Sequence, residues 1–256
     1  MSTAQDERTA SERREALKEV FAQAKGCVRC PELAATRQTV VFGSGNADAD
    51  LMFVGEAPGA SEDEQGVPFV GRAGKLLETL LAEVGLQRAD VFIANTLKCR
   101  PPGNRDPLPI EIDNCQDYLH RQVGLIQPTV ICTLGNFSTK LLRGDPTGIT
   151  RLHGRPELLT LGRRAVRLYP IFHPAAALYT PRMLETLRED FARLPELLAM
   201  GAPEQPSLED VPQLAEDAHA ADGRQDPGEP PERAPQDEPA TGGDEQQTEA
   251  DQLGLF

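Results

Sequence analysis

The sequence predicts an α/β protein whose mainly parallel sheet is covered by helices on both faces. Three observations carry that expectation. Apolar runs of strand length lie at 51–54, 91–95 and 129–134. Amphipathic runs of helix length follow them, at about 73–84, 109–126 and 136–143. Strand, loop and helix therefore alternate, and that order requires right-handed crossovers between parallel neighbours.

The elements can be justified in order. Residues 11–25 place Leu17, Val20, Phe21 and Ala24 on one face, with Ser11 as the expected N-cap and Gly26 as the stop. That helix delivers Cys27-Val28-Arg29-Cys30-Pro31, where the proline prevents the helix from continuing. The run 51–54 stops at Gly55 and gives way to a loop rich in Gly, Pro and carboxylates, before an amphipathic run begins at Arg72. In open α/β sheets ligands sit beyond the carboxyl ends of the strands, so a carboxylate and a lone aromatic in this connection are candidate site residues. The region 157–172 has strand-like runs on either side of Gly162-Arg163 and reads as a hairpin. His173-Pro174 then follows a strand end, and a last helix over about 182–199 closes the domain.

Composition divides the chain more sharply than its length. After Met200 the last 56 residues carry 15 Asp and Glu against 2 Lys and Arg, and 14 are Gly or Pro. Such a segment has too little apolar surface to offset the entropy of ordering, so 201–256 reads as a disordered acidic tail. The tail accounts for −13 of the net charge of −14, leaving residues 1–200 close to neutral. An acidic chain as a whole thus remains compatible with nucleic acid. Local clusters carry that reading: Lys98, Arg100 and Arg105, then Arg151, Arg155, Arg163, Arg164 and Arg167. No apolar run reaches the ~20 residues of a membrane span, and the N-terminus lacks a signal-peptide core. The expectation is a cytoplasmic protein, and a monomer. The division is a helix over 1–25, a domain over 26–200 and the tail.

In a reducing compartment five cysteines point to metal rather than disulfides. Cys27 and Cys30 form a close pair, whereas Cys99 and Cys115 are separated by fifteen residues that include the start of a helix. Two close pairs would suit a zinc finger; thiolates gathered from distant loops suit a [4Fe–4S] cluster, with structural zinc as the alternative. Cys132 lies in an apolar run and reads as core.

Several motifs then combine: GEAPG at 55–59, GVPFVGRAG at 66–74, Asn95 followed by KCRPPGNR at 98–105, Leu134-Gly135, and HPAAAL at 173–178. Together, in this order and at the expected strand ends, they resemble the family 4, iron–sulfur uracil-DNA glycosylases over residues 26–198. The resemblance implies a three-layer sandwich around a central, mainly parallel four-stranded sheet. It further implies a [4Fe–4S] cluster on Cys27, Cys30, Cys99 and Cys115 and hydrolytic excision of uracil from DNA, leaving an abasic site.

Chemistry assigns roles beside that resemblance. A base inside a duplex must be extruded into a pocket that grips its face and its Watson–Crick edge. Phe69 is the expected stacking surface, and Asn95 can accept from uracil N3–H and donate to O4, an arrangement that cytosine's edge opposes. Bond cleavage leaves a uracil anion and a cationic sugar. His173 is the expected donor to O2, Glu56 the carboxylate that orients water or stabilises the cation, and the backbone at Gly55 the pocket floor. Glu62 is expected to close the pocket against the methyl group of thymine. Ala175 and Ala176 would press on a kinked duplex, and Arg100, Arg105 and Arg151 would bind phosphates. Family 1 uracil-DNA glycosylases carry a water-activating Asp where Ala57 stands and a Tyr where Gly59 stands, so neither role is carried over.

Rival readings are separable. A covalently trapping relative needs a His in its basic loop, and KCRPPGNRDPLP has none. Family 5 has a first motif without a carboxylate, against Glu56. A non-catalytic iron–sulfur DNA-binding module would tolerate changes at Asn95 and His173. A nucleotide-binding α/β protein with zinc lacks support, since neither GxxxxGK[ST] nor GxGxxG occurs. The tail ends in Gln252-Leu253-Gly254-Leu255-Phe256, which resembles the short peptide by which bacterial repair proteins dock into the DNA sliding clamp.

Overall fold

The computed structural model describes residues 8–206. The acidic tail, with its clamp-binding candidates Gln252, Leu253, Leu255 and Phe256, lies outside the described residues.

The chain begins with α1 (Ala10–Lys25) and α2 (Pro31–Thr36), followed by β1 (Ser44–Gly45) and β2 (Leu51–Gly55). Next come α3 (Ala60–Gln65), α4 (Arg72–Glu83), β3 (Phe92–Asn95) and α5 (Pro109–Ile126). β4 (Val130–Leu134), α6 (Asn136–Arg143) and α7 (Ile149–Leu152) lead to the hairpin of β5 (Glu157–Leu161) and β6 (Arg164–Ile171). A 3-10 turn (Pro174–Ala177), α8 (Pro181–Ala192) and α9 (Leu194–Ala199) complete the fold.

The sheet has six strands in the order β1-β3-β2-β4-β6-β5. Its centre, β3-β2-β4-β6, is the expected four-stranded parallel sheet, and β1 and β5 extend it with one antiparallel strand at each edge. Successive residues of a strand face opposite ways. Met52 and Val54 therefore pack with Leu17, Phe21, Leu119 and Val123 on the side of α1 and α5. Leu51 and Phe53 pack with Leu77, Leu81, Leu187 and Phe191 on the side of α4 and α8.

Helix limits match the sequence reading at α5 and α6 and differ elsewhere for local reasons. Thr9, not Ser11, caps α1: its hydroxyl accepts from the Glu12 amide at 3.3 Å, and the Glu12 carboxylate accepts from the Thr9 amide at 2.7 Å. Gly26 ends that helix, and Pro31 starts α2, at the first-turn position where a missing N–H costs nothing. The expected last helix is two, because Pro195 supplies no N–H to continue the ladder across Arg193.

Parallel pairing has one consequence for function. The register sets Gly55 beside Asn95 and Leu134 beside Ile171, so the segments leaving β2, β3, β4 and β6 emerge at one edge of the sheet. Among the described residues no helix is long and apolar enough to cross a membrane.

Cys132 is fully buried in β4, within the core on the α4 side and apart from the other cysteines. Cys132→Ala should lower the unfolding free energy by about 1 kcal/mol in a denaturant titration and leave the metal content per chain unchanged. A fall in metal content would remove it from the core assignment.

Candidate active site

The connection between β2 and α4 contains a helix, α3, and is organised by Glu62. One oxygen of that carboxylate accepts from the Gly59 amide at 3.1 Å; the other accepts from the amides of Val70 and Gly71, each at 3.1 Å. Glu62, expected to close the pocket against the methyl group of thymine, has both its oxygens turned onto the loop backbone. Asp63 is buried too, accepting from the amides of Gln38 at 3.0 Å and Thr39 at 3.3 Å. Of the run Ser61-Glu62-Asp63-Glu64, only Ser61 and Glu64 are exposed.

This bracing fixes Phe69, whose φ of +54° is rare for a residue with a side chain. Arg88 donates to the Phe69 carbonyl at 3.2 Å and to the Pro68 carbonyl. Gly74 packs so closely that a Cβ there would lie 1.7 Å from the Phe69 oxygen. The second glycine of GRAG is thereby explained: helix α4 starts against the backbone of the stacking residue. At the other end of the loop, a Cβ on Gly55 would lie 2.4 Å from Asn95 Oδ1 and 2.8 Å from the Phe69 ring. The Phe69 ring stacks on His173 with centroids 5.5 Å apart and planes 29° apart. Gly55, Phe69, Asn95 and His173 therefore converge.

His173 has a defined tautomer. Its Nδ1 accepts from the Ala175 amide at 3.1 Å, which leaves the neutral ring's proton on Nε2. Burial lowers its pKa to about 4, against an opposing pull from Glu62. The ring is thus a neutral donor at physiological pH. Gly135, at φ +91°, lets the β4 turn approach to where a Cβ would meet the His173 Cβ at 3.0 Å. Glu56 follows Gly55 at the rim, and burial, with a smaller contribution from Asp106, raises its pKa. An open cleft of about 700 Å³ continues from Glu56 and His173, lined also by Asp106, Gly135, Asn136 and Lys140. Ala175 and Ala176 are exposed on the 3-10 turn beside His173.

The cationic residues divide differently from the sequence reading. Arg100 is partly exposed and bonds Asn104 at 2.7 Å, and Arg151, Arg155 and Arg163 are exposed. Arg105 is committed to Glu111 at 2.7 Å and Glu32 at 3.0 Å, which ties its loop to α2 and α5. Lys98 and Arg167 are buried, and Arg164 and Arg167 donate to backbone carbonyls of Gln127 and Gly201. Those three leave the expected phosphate-binding face, because their side chains turn inward to backbone carbonyls. Arg88 and Lys140 carried no sequence signal: each is an isolated cation, and only the fold brings one to Phe69 and the other to the cleft.

Cys27, Cys30, Cys99 and Cys115 line one small cavity between α1, α2 and α5. Each sulfur has its own donor: Arg29 to Cys27 at 3.5 Å, Asn114 to Cys30 at 3.6 Å, Arg37 to Cys99 at 3.2 Å and the Lys98 amide to Cys115 at 3.3 Å. Four thiols with four donors and two nearby guanidinium groups suit a bound group that needs thiolates. Among the described residues no group of three or more His, Cys, Asp or Glu side chains is arranged to hold a metal ion.

Comparison with known proteins decides the family. The model of the uracil DNA glycosylase superfamily matches residues 42–196, a span that holds every converging residue of the cleft. The chain belongs to the type-4 uracil-DNA glycosylases. It is 43% identical over 193 residues to the type-4 uracil-DNA glycosylase of Archaeoglobus fulgidus, covering 74% of this chain and 96% of that one. The type-4 enzyme of Sulfurisphaera tokodaii is 43% identical over 188 residues, covering 72% and 85%. A type-5 uracil-DNA glycosylase of Pyrobaculum aerophilum is more distant, at 27% identity over 65% of this chain and 87% of that one.

Gly74 offers a test of the glycosylase's loop. Gly74→Ala should cost about 3 kcal/mol and lower uracil excision per folded molecule, because the Phe69 carbonyl must move. Unaltered stability and rate would show that α4 does not set Phe69.

Proposed function

We propose that this uracil-DNA glycosylase extrudes deoxyuridine from DNA and hydrolyses its N-glycosidic bond with the residues that converge at Gly55. The observation that carries the proposal is the joint placement of the Phe69 ring, the Asn95 amide and a neutral, Nε2-protonated His173. Phe69 stacks on the extruded base, while Gly55 leaves room for the base edge to reach Asn95. The Asn95 amide accepts from N3–H and donates to O4; cytosine would leave these groups opposed and unpaired. As the bond from the sugar C1′ to uracil N1 breaks, its electron pair enters the base, and His173 Nε2–H stabilises the charge at O2. The Glu56 carboxylate faces the developing sugar cation, orients the water that adds to C1′ and takes the proton that this water loses. Glu62 excludes thymine indirectly, by setting the loop wall at Val70 and Gly71.

Lys140, the partly exposed Arg100 and the exposed Arg151 contact phosphates, with Ala175 and Ala176 against the backbone of the kinked strand. Arg105 acts instead through its ion pairs as a brace. Cys27, Cys30, Cys99 and Cys115 would hold a [4Fe–4S] cluster, which supplies a cross-link between α1, α2, α5 and the loop after β3. A mononuclear zinc would need all four sulfurs about 3.8 Å apart, given Zn–S near 2.3 Å and tetrahedral geometry, and no such group is arranged among the described residues. Zinc without iron or sulfide in anaerobically purified protein would overturn this choice. The enzyme works as a monomer, and its terminal Gln252, Leu253, Leu255 and Phe256 tether it to a sliding clamp; deleting 252–256 should spare excision from a short oligonucleotide and abolish clamp capture.

A labelled oligonucleotide with one U·G pair tests the activity: an alkali-labile abasic site is expected, with no borohydride-trapped adduct, and such an adduct would implicate Lys140. The pH profile tests the roles. The acid limb of kcat should lie above the ordinary glutamate value of 4.5, set by Glu56, and His173→Ala should lower kcat by roughly 10²–10³. His173 also binds a proton more readily unfolded, near 6.5, than folded, near 4, so its contribution to stability is complete above 6.5 and lost as pH falls toward 4. A limb near 6.5 that vanishes in the His173 variant would contradict the neutral donor.

A further inference from the structure

Lys98 is enclosed, with 1% of its surface exposed, and so cannot reach phosphate. A buried ammonium persists only where acceptors surround it. Its Nζ donates to the main-chain carbonyl of Asn95 at 2.8 Å and to Gln122 Oε1 at 2.6 Å, with the Phe42 ring centroid 5.8 Å away. Gln122 is itself held, since its Nε2 donates to the Phe42 carbonyl at 2.9 Å. The main chain of Lys98 points the other way: its amide donates to Cys115 Sγ at 3.3 Å, and its carbonyl accepts from Val41 at 2.8 Å. One residue therefore grips the end of β3 with its side chain and a cluster-site sulfur with its backbone.

We propose that Lys98 is a positioning residue for base selection, which fixes the direction of the Asn95 amide by anchoring the Asn95 carbonyl to α5 and to the four-cysteine site. The proposal rests on Asn95 being the base reader. The peptide that follows Asn95 is held at two points: its N–H, on Thr96, donates to the Gly55 carbonyl at 3.0 Å, and its carbonyl accepts from the Lys98 ammonium at 2.8 Å. The ammonium supplies the second point and so removes the tilt that the Thr96 bond alone would leave. Gln122 aims the ammonium, and the Cys115 bond sets the height of Lys98 against α5.

The test uses the full-length, metal-loaded protein and three readouts: inhibition by free uracil, affinity for a uracil-free duplex, and metal per chain. Lys98→Met should raise the Ki of uracil about tenfold, corresponding to ~1.4 kcal/mol, and leave duplex affinity unchanged. A merely structural role would lower the active fraction, and hence the maximal rate, without moving Ki. Should Lys98→Met fail to fold, Gln122→Met serves: it removes one of the two oxygen acceptors and should raise Ki about threefold. An unchanged Ki in the folded variant overturns the proposal. Asn95→Ala in the same assay separates the two claims. If it raises Ki and the Lys98 or Gln122 change does not, the coupling alone is wrong; if it leaves Ki unchanged, Asn95 is not the reader and the proposal falls with it.

Discussion

The pocket depends on a single residue held where side chains rarely go. Phe69 adopts φ +54°, a left-handed conformation that costs an L-residue about 1–2 kcal/mol. Arg88 offsets this by donating to two consecutive carbonyls, Glu62 gathers the amides that follow, and Gly74 admits the Phe69 carbonyl to the start of α4. The left-handed turn sets the ring, buried at the margin of the core on the α4 side, against Gly55 and His173. A relaxed Phe69 would leave Asn95 and His173 with no platform between them. Backbone strain concentrated at a site and held by surrounding bonds is a form of preorganisation, since the loop need not be reordered when the base arrives.

The same logic extends through the sheet. Parallel strands deliver Glu56, Asn95 and His173 to one edge from three separate segments, and small residues at Gly55 and Gly135 let them close up. The thiol cavity lies on the α1 and α5 side, yet it is bonded to the pocket by Lys98 and by the Asp63 contacts to Gln38 and Thr39. A cluster there would stiffen the segments that carry both anchors. Such a cluster would thereby be physically connected to the pocket through Lys98.

Much of this was legible in the sequence because apolar periodicity and strand-end chemistry are local. The parallel strands, α5 and α6, the converging Gly55, Phe69, Asn95 and His173, and the core position of Cys132 follow from runs and motifs read in place. What was not legible is the orientation of charge. Lys98, Arg164 and Arg167 read as a phosphate-binding face and Glu62 as a pocket wall, since a charged side chain is expected to face water or ligand; each instead bonds backbone groups, most of them brought from elsewhere in the chain. Arg88 was silent for the same reason. The short α3 was hidden by its bounding glycines, and β1, two residues long, had no pattern to read.

A loop braced in this way would form the proposed uracil site before uracil enters. A pair of crystal structures of the metal-loaded protein, free and with bound uracil, tests this. Expected are a positive φ at Phe69 in both, the base stacked on its ring, N3 and O4 at the Asn95 amide and O2 within hydrogen-bond reach of His173 Nε2. A Phe69 that turns to its left-handed conformation only on binding, or a base that meets other residues, would contradict it.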